Sequence, residues 1–213
     1  MILLILEIIG TISFAISGAV VAIKAKFDIF GVTFVGVITA MGGGIVRDII
    51  IGRYPPAVFS NFYIFLIAVI TSIIVFIIIY KNKSHFSMFE GIIEYINNFF
   101  DAVGLAAFSV MGTEVAFIFG FSDNMFLAVT LGVLTGIGGG IFRDILTDTT
   151  PYVFKKHIYA IASILGSSLY YLLRMNIDNL AVISTISMVL VVAIRMLAAK
   201  YHWSLPKINL DGE

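Results

Sequence analysis

Cysteine is absent from this chain of 213 residues, and charged residues make up only 12% of it. The lack of cysteine excludes disulfides, thiolate metal sites and cysteine catalysis, although it says little about the cellular compartment. A soluble domain of this length carries roughly a quarter charged residues. The hydrophobic fraction of 60% and the net charge of zero indicate a membrane protein with several spans and short loops, and they give no sign of a nucleic-acid partner.

Seven apolar windows are long enough to cross a bilayer. A helix needs about 20 apolar residues for this, and helices are favoured because backbone polar groups in lipid must be satisfied within the segment. The windows are approximately 2–23, 30–51, 62–80, 100–120, 125–146, 157–174 and 179–199. The first window has no basic region before it, so we interpret it as a retained span rather than a cleaved signal peptide.

Loop charges predict the orientation of these spans. The residues counted for one face are Lys24, Lys26, Lys81, Lys83, Lys155 and Lys156, with Arg195, Lys200 and Lys207 added by the tail. The other face has little beyond Arg53 and Arg174. The positive-inside rule therefore predicts a multi-pass membrane protein with its amino terminus outside and its carboxyl terminus in the cytoplasm.

The sequence repeats itself. Gly42 aligns with Gly138 at an offset of 96 residues, and the same offset brings Arg47-Asp48 onto Arg143-Asp144. Asp28 and Asn124 also match, each before an apolar run where it would cap a helix. Each copy contains three spans, an odd number, so the second copy is predicted to be inverted. Inverted repeats with interrupted helices are typical of transport proteins, whose permeation site lies near the midplane.

The predicted fold is an all-α integral membrane protein with a 3+3 inverted repeat, a seventh helix, and kinks at the triple glycines of the second and fifth helices. The domains are 1–80 for the first repeat, 81–99 for a cytoplasmic linker, 100–175 for the second repeat, and 176–213 for the seventh helix and tail. A polar helical face comprising Glu90, Glu94, Asn97, Asn98 and Asp101 is either an amphipathic lead-in at the surface or an acidic vestibule.

The triple glycines predict a weak point in two spans. Each glycine costs a helix about 1 kcal/mol relative to alanine, so a break is plausible at 42–44 and 138–140. The glycines are Gly42, Gly43, Gly44, Gly138, Gly139 and Gly140. A break would leave carbonyls that bind a monovalent cation and amides that favour an anion. Alternatively, the glycines only allow close helix packing. Thr39 and Thr135 precede the two runs and are candidate additional ligands.

The two Arg–Asp pairs leave open which carboxylate each arginine binds. Neighbours on a helix point about 100° apart, so Arg47 is not expected to pair well with Asp48, nor Arg143 with Asp144. We predict instead a reciprocal pairing across the inverted repeats, Arg47 with Asp144 and Arg143 with Asp48. This pairing is interpreted either as a lock between the repeats or as a pair of arginines that line the pore and set its field.

Small polar residues and two acids complete the candidate pore residues. Ser13 and Ser17 in the first span match Ser109 and Thr113 in the fourth, as a packing stripe or a pore wall. Glu7 and Glu114 are candidate acids of the outer mouth. The histidines, His85, His157 and His202, are interpreted as surface residues. No nucleophile–base set, phosphate loop or zinc motif is present in the sequence, so no enzyme activity and no cofactor are expected.

The two motifs "GGGIVRD" and "GGGIFRD", in a three-plus-three-plus-one arrangement of spans, resemble the trimeric intracellular cation (TRIC) channel family in its prokaryotic branch. The resemblance covers roughly residues 5–198, and for a prokaryotic member of the family it implies a location in the cell membrane. It implies a homotrimer in the lipid bilayer, and in each subunit a pore between the repeats that is permeable to potassium and sodium and passes kinks at the glycines. Related bacterial sequences are also described as glycine transporters. The alternative is therefore a secondary transporter of glycine or another small amino acid.

Overall fold

The computed structural model describes residues 1–82, 90–155, 158–201 and 203, and its regular structure is helical throughout those ranges. The helices are α1 (Ile2–Lys24), α2 (Ile29–Ile50), α3 (Ala57–Ser60), α4 (Phe62–Lys81), α5 (Glu90–Ile118), α6 (Met125–Leu146), α7 (Tyr152–Lys155), α8 (Ile158–Arg174) and α9 (Leu180–Lys200). Among the described residues, 6 helices are long and apolar enough to cross a membrane, and α8 is a shorter apolar helix. The chain is an all-helical, multi-pass membrane protein; a seventh span at α8 stays a prediction.

Matched signals start and end the second helix of each repeat. The Asp28 carboxylate accepts the Gly31 N–H at 2.8 Å at the start of α2. The Asn124 amide oxygen accepts the Leu127 N–H at 3.0 Å at the start of α6, so both predicted caps are confirmed. The backbone turns left-handed just beyond both helices, at Gly52 and Asp148 with φ of 75° and 54°. These matching ends show that the repeat at offset 96 is a repeat of backbone structure as well as sequence.

Two helices from different repeats, α1 and α5, run antiparallel at the centre of the bundle. Gly10 lies against the Phe108 ring and Phe14 lies against Gly104, so positions rise along α1 as they fall along α5. The Phe14 and Phe108 rings pack together with centroids 5.3 Å apart. This register is the one that an inverted repeat requires. α1 also packs on α2 and α4, whereas α9 packs on α5 and α8 at the side of the second repeat.

α2 and α6 continue as α-helices through their triple glycines, so the predicted break at 42–44 and 138–140 is wrong. Unwound backbone in lipid is costly, and a continuous helix keeps each amide bonded to the carbonyl four residues earlier. A kink without a break stays a prediction.

The helix that carries the fourth predicted span begins at Glu90, not near residue 100, so part of the predicted linker is helical. Asp101 is completely buried within this helix, and Asn97 is buried as well. The surface lead-in is therefore wrong for these two residues, because they point into the bundle. Glu94, on the same predicted face, is exposed. The three histidines lie outside the described residues.

Candidate functional site

The two triple-glycine helices cross at the interface between the repeats. Gly43 of α2 lies against the Thr135 carbonyl of α6, and Gly139 of α6 lies in the same way against the Thr39 carbonyl of α2. The contact is reciprocal at the repeat offset and antiparallel in register, as a two-fold relation between the repeats demands. A methyl group at either glycine would collide with the facing backbone. At the middle glycines, the packing interpretation is therefore supported.

The flanking glycines have different neighbours in the two repeats. A methyl group at Gly42 would meet the Phe142 ring at 2.6 Å, while one at Gly44 would have only the Arg47 guanidinium nearby, at 3.7 Å. In the second repeat, Gly140 faces the Tyr159 hydroxyl, 2.8 Å from the position of such a methyl. The last glycine of each run thus adjoins open space in the first repeat and a tyrosine in the second.

The predicted threonines lie beside this crossing. The Thr39 hydroxyl donates to the Val35 carbonyl at 2.6 Å, and the Thr135 hydroxyl donates to the Leu131 carbonyl at the same distance. Both hydroxyls donate their hydrogen bond within their own helix, so only the lone pairs of their oxygens are available to a ligand.

Each arginine pairs with its own neighbouring aspartate, so the predicted reciprocal pairing across the repeats is wrong. Arg47 Nε donates to Asp48 Oδ1 at 2.9 Å, and Arg143 Nε donates to Asp144 Oδ1 at 2.8 Å. The long arginine side chain overcomes the angular offset between neighbours by folding back along the helix surface.

The aspartates are held in place by short helices that follow. Asp48 Oδ2 accepts the Ala57 N–H at 2.7 Å, at the start of α3. Asp144 Oδ2 accepts the Tyr152 N–H at 2.8 Å, at the start of α7. Each carboxylate therefore joins the end of a long helix to the exposed amides of the next short one, and it is not available to the other repeat.

A buried charge cluster surrounds the second arginine; we call Asp101, Arg143, Asp144, Tyr159 and Arg195 the second-repeat cluster. Arg143 Nη1 donates to Asp101 Oδ1 at 2.6 Å, and Asp101 Oδ2 lies 3.4 Å from Arg195 Nη2 of α9. Arg195 also lies over the Tyr159 ring, 4.6 Å from its centroid. Two guanidiniums thus face two carboxylates, the balanced state expected of ionisable groups inside a membrane protein.

Sequence reasoning missed Asp101 as a partner because it was grouped with the polar face that begins at Glu90, and missed Arg195 because it was counted with the cytoplasmic tail. Arg195 is buried within α9. A signal was present: each lies inside or beside an apolar window, where an unpaired charge is too costly to persist. Ser17, a predicted pore residue, belongs to the same neighbourhood, since its hydroxyl accepts from Arg143 Nη1 at 2.7 Å.

Beside Arg47 and Asp48, the first repeat has a cavity of about 40 Å³, whereas the matching pair of the second repeat lies in the charge cluster. We call it the first-repeat cavity. Its polar lining consists of Glu7, Thr11, Arg47, Asp48 and Thr135, and its apolar lining includes Ala40, Met41, Gly44, Ala57, Val58, Ile64, Phe108 and Met111. A space of this size has room for a few water molecules. It adjoins the α2–α6 crossing at Thr135.

The remaining predicted hydroxyls are buried by helix packing. Ser109 Oγ lies 2.6 Å from Ser163 Oγ of α8, and the Thr113 hydroxyl donates to the Ser109 carbonyl at 2.9 Å. Thr113 and Ser109 also lie against Gly132 and Gly136 of α6, respectively. These contacts join α5, α6 and α8 of one repeat, as a small-residue stripe does. Ser13 is also buried.

The two predicted mouth acids have different surroundings. Glu114 is buried and accepts from the Tyr170 hydroxyl at 3.0 Å and from Arg174 Nε at 3.2 Å. Glu7 lines the first-repeat cavity. Glu114 is thus committed to a local ion pair, whereas Glu7 faces open space.

Fold and site together define a class: helical membrane proteins built from two antiparallel units, with charged groups beside the crossing. The family model described as Glycine transporter matches the chain twice, over residues 4–80 and 98–175. The UPF0126 inner membrane protein YadS of Escherichia coli (strain K12) is 34% identical over 210 residues, which cover 97% of this chain and 96% of that protein.

Two solved structures share the fold. A prokaryotic TRIC channel in 0.5 M KCl matches with a TM-score of 0.86 and 35% identity, over 96% of this chain and 99% of that one. The TRIC trimeric intracellular cation channel orthologue from Rhodobacter sphaeroides matches with a TM-score of 0.84 and 26% identity, over 95% and 99%. The chain therefore belongs to the family described by the matching model and, with these solved channels, to the prokaryotic branch of the TRIC family. The two solved structures are channels rather than enzymes, and they support a cation channel.

Proposed function

We propose that this protein is a potassium- and sodium-permeable channel of the cell membrane, with a pore inside each subunit between the inverted repeats. It assembles as a homotrimer, with the amino terminus outside and the carboxyl terminus in the cytoplasm. The observation that carries the proposal is the α2–α6 crossing, where glycines of both repeats lie beside a cavity with charged side chains in its lining, in a fold shared with solved cation channels.

The proposed path passes the triple glycines and enters the first-repeat cavity. Carbonyls at 42–44 and 138–140 already accept helix hydrogen bonds, so any monovalent cation there uses their second lone pair, or reaches them through a kink. Arg47 borders the path and lowers the occupancy of cations, while Arg143 acts as a structural lock. The buried hydroxyls of Ser13, Ser17, Ser109 and Thr113 support the helices that form the wall.

Recording from the purified protein in a planar bilayer tests the channel. We expect unitary currents whose reversal potential follows the potassium gradient. Arg47→Gln is expected to raise cation conductance, because a positive charge beside the path is removed. If repeated reconstitutions of correctly folded protein give no unitary currents, the proposal is contradicted.

Glycine transport is the second candidate, and one observation favours it. The first-repeat cavity contains both a carboxylate, Glu7, and a guanidinium, Arg47, which suit the ammonium and carboxylate of a small zwitterion. Proteoliposomes that accumulate labelled glycine saturably, without unitary currents in bilayers, would favour this function over the channel.

A further inference from the structure

The first-repeat cavity contains two oxygen-bearing side chains that the charge network leaves unused. The Thr11 hydroxyl is buried, and it has no hydrogen-bond partner among the described residues. Glu7 lies one helical turn earlier on α1 and lines the same cavity. Within the part of the chain that the structure describes, its carboxylate makes no hydrogen bond or ion pair. Both groups therefore have free coordination capacity.

Thr11 differs from other buried threonines in this respect. Thr39, Thr113 and Thr135 each donate to the carbonyl four residues earlier in their own helix. A buried hydroxyl without a partner costs about 1–3 kcal/mol. That cost is removed if the hydroxyl has a ligand in the cavity that it lines.

Charge decides which kind of ligand fits. Asp48 Oδ1 lies 2.9 Å from Nε and 2.8 Å from Nη2 of Arg47, so the charge of this arginine is already balanced by a carboxylate. The Glu7 carboxylate leaves the cavity lining with one net negative charge. Arg47 and Arg53 act on Glu7 only through longer-range electrostatics, without an ion-pair contact among the described residues. A single carboxylate of this kind suits a monovalent cation, since divalent cations need more oxygen ligands, and usually more carboxylates, than the lining offers.

Resting on the proposed channel function, we propose that the first-repeat cavity binds a partly hydrated monovalent cation, with the Glu7 carboxylate and the Thr11 hydroxyl as its protein ligands. The cavity volume of about 40 Å³ leaves room for water to complete the coordination shell. The site is present once per subunit: the matching positions of the second repeat are Val103 and Ala107, which have no oxygen in their side chains.

Thermal unfolding of the detergent-solubilised protein tests the site without any current measurement. Potassium chloride is compared with N-methyl-D-glucamine chloride at equal ionic strength, so that only the small cation differs. A ligand that binds only the folded state raises the unfolding temperature. We expect potassium to stabilise the wild type, and Glu7→Gln to weaken the apparent potassium affinity at least about tenfold, or about 1.4 kcal/mol.

Two further variants complete the design. Thr11→Val keeps the shape and removes the hydroxyl, so it should also weaken the potassium response, and it tests the site even if E7Q does not fold. Glu94→Gln removes the same charge from an exposed position on α5 and should respond like the wild type.

The proposal is overturned if the wild type shows no potassium-specific shift, if E7Q or T11V keeps the full shift, or if glycine rather than potassium stabilises the protein. Bilayer recording separates this result from the channel function. Currents together with an unchanged potassium response in E7Q leave the channel standing and remove the site. A response lost in E7Q, with no currents in the wild type, leaves the site standing and removes the channel.

Discussion

The two repeats place the same Arg–Asp pair at the end of the same helix, yet they surround it differently. Arg143 has no solvent-exposed surface, and its charge is shared with Asp101. Arg47 borders a cavity. The difference arises from residues around the motif, since α9 contributes Arg195 to one repeat only. An internal duplication therefore does not guarantee duplicated roles: the pair in the charge cluster and the pair beside the cavity have nearly the same local sequence, GGGIFRD and GGGIVRD.

The largest expected effect separates these two arginines. Arg143→Met leaves the buried Asp101 and Asp144 without their main partner, and breaking a buried ion pair typically costs about 3–5 kcal/mol. Arg47→Met should cost less, about 1.5–3 kcal/mol, because Asp48 keeps the Ala57 N–H and borders a space that water can enter. Thermal unfolding followed by circular dichroism measures both variants. Equal losses would remove the distinction between the repeats.

The glycine crossing is where the repeats are predicted to behave alike. Gly43→Ala and Gly139→Ala each push a methyl group into the facing backbone, and overpacking of this kind costs about 1–3 kcal/mol. Gly44→Ala is the matched control, because its methyl group would meet only a distal arginine nitrogen. We expect similar losses of unfolding temperature for the first two variants and none for the control. A large difference between Gly43→Ala and Gly139→Ala would refute the two-fold contact.

A double-mutant cycle on Asp101 and Arg195 measures what α9 contributes to the second repeat. The two side chains are 3.4 Å apart, and coupling between contacting residues is typically about 0.5–3 kcal/mol. We expect the lower part of this range, since Asp101 has a shorter contact with Arg143 at 2.6 Å. The unfolding free energies of both single variants and the double variant give the coupling. Strict additivity would show that α9 does not stabilise the cluster electrostatically.

An effect of similar, small size concerns the helix caps. Asp28→Ala and Asn124→Ala each remove one acceptor from an exposed helix start, at a cost of about 1 kcal/mol. We expect the two losses in unfolding temperature to agree closely. Ser122→Ala, in the same loop as Asn124, is a suitable control because its hydroxyl makes only a long contact of 3.5 Å.

Sequence patterns predicted the local features of this fold well. Hydropathy located the apolar helices, and the two caps followed from Asp28 and Asn124 because capping depends on neighbours within three residues. The repeat offset also identified the two triple-glycine runs as matched positions, and the structure places both at the crossing of α2 and α6. These features depend on local chemistry or on periodicity, both of which can be seen in a single sequence.

The charge network could not be predicted in the same way. Asp101 and Arg195 are 94 residues apart, and only the packing of α9 on α5 brings them together. The neighbouring Arg–Asp pairs were misjudged because ideal helix geometry describes Cβ directions, while an arginine side chain is long enough to fold back. The helix break was wrong because propensity in water overstates the weakness of glycine in lipid.

The charged residues of the second-repeat cluster are synthesised at well-separated times. Asp101 leaves the ribosome 42 residues before Arg143, and 94 residues before Arg195. A carboxylate therefore reaches the membrane well ahead of the two cations that neutralise it. Until α6 arrives, the Asp101 carboxylate has neither of these partners, and an unpaired charge is costly in the hydrocarbon of a membrane. The charges of the cluster are therefore balanced only once α9 has been made.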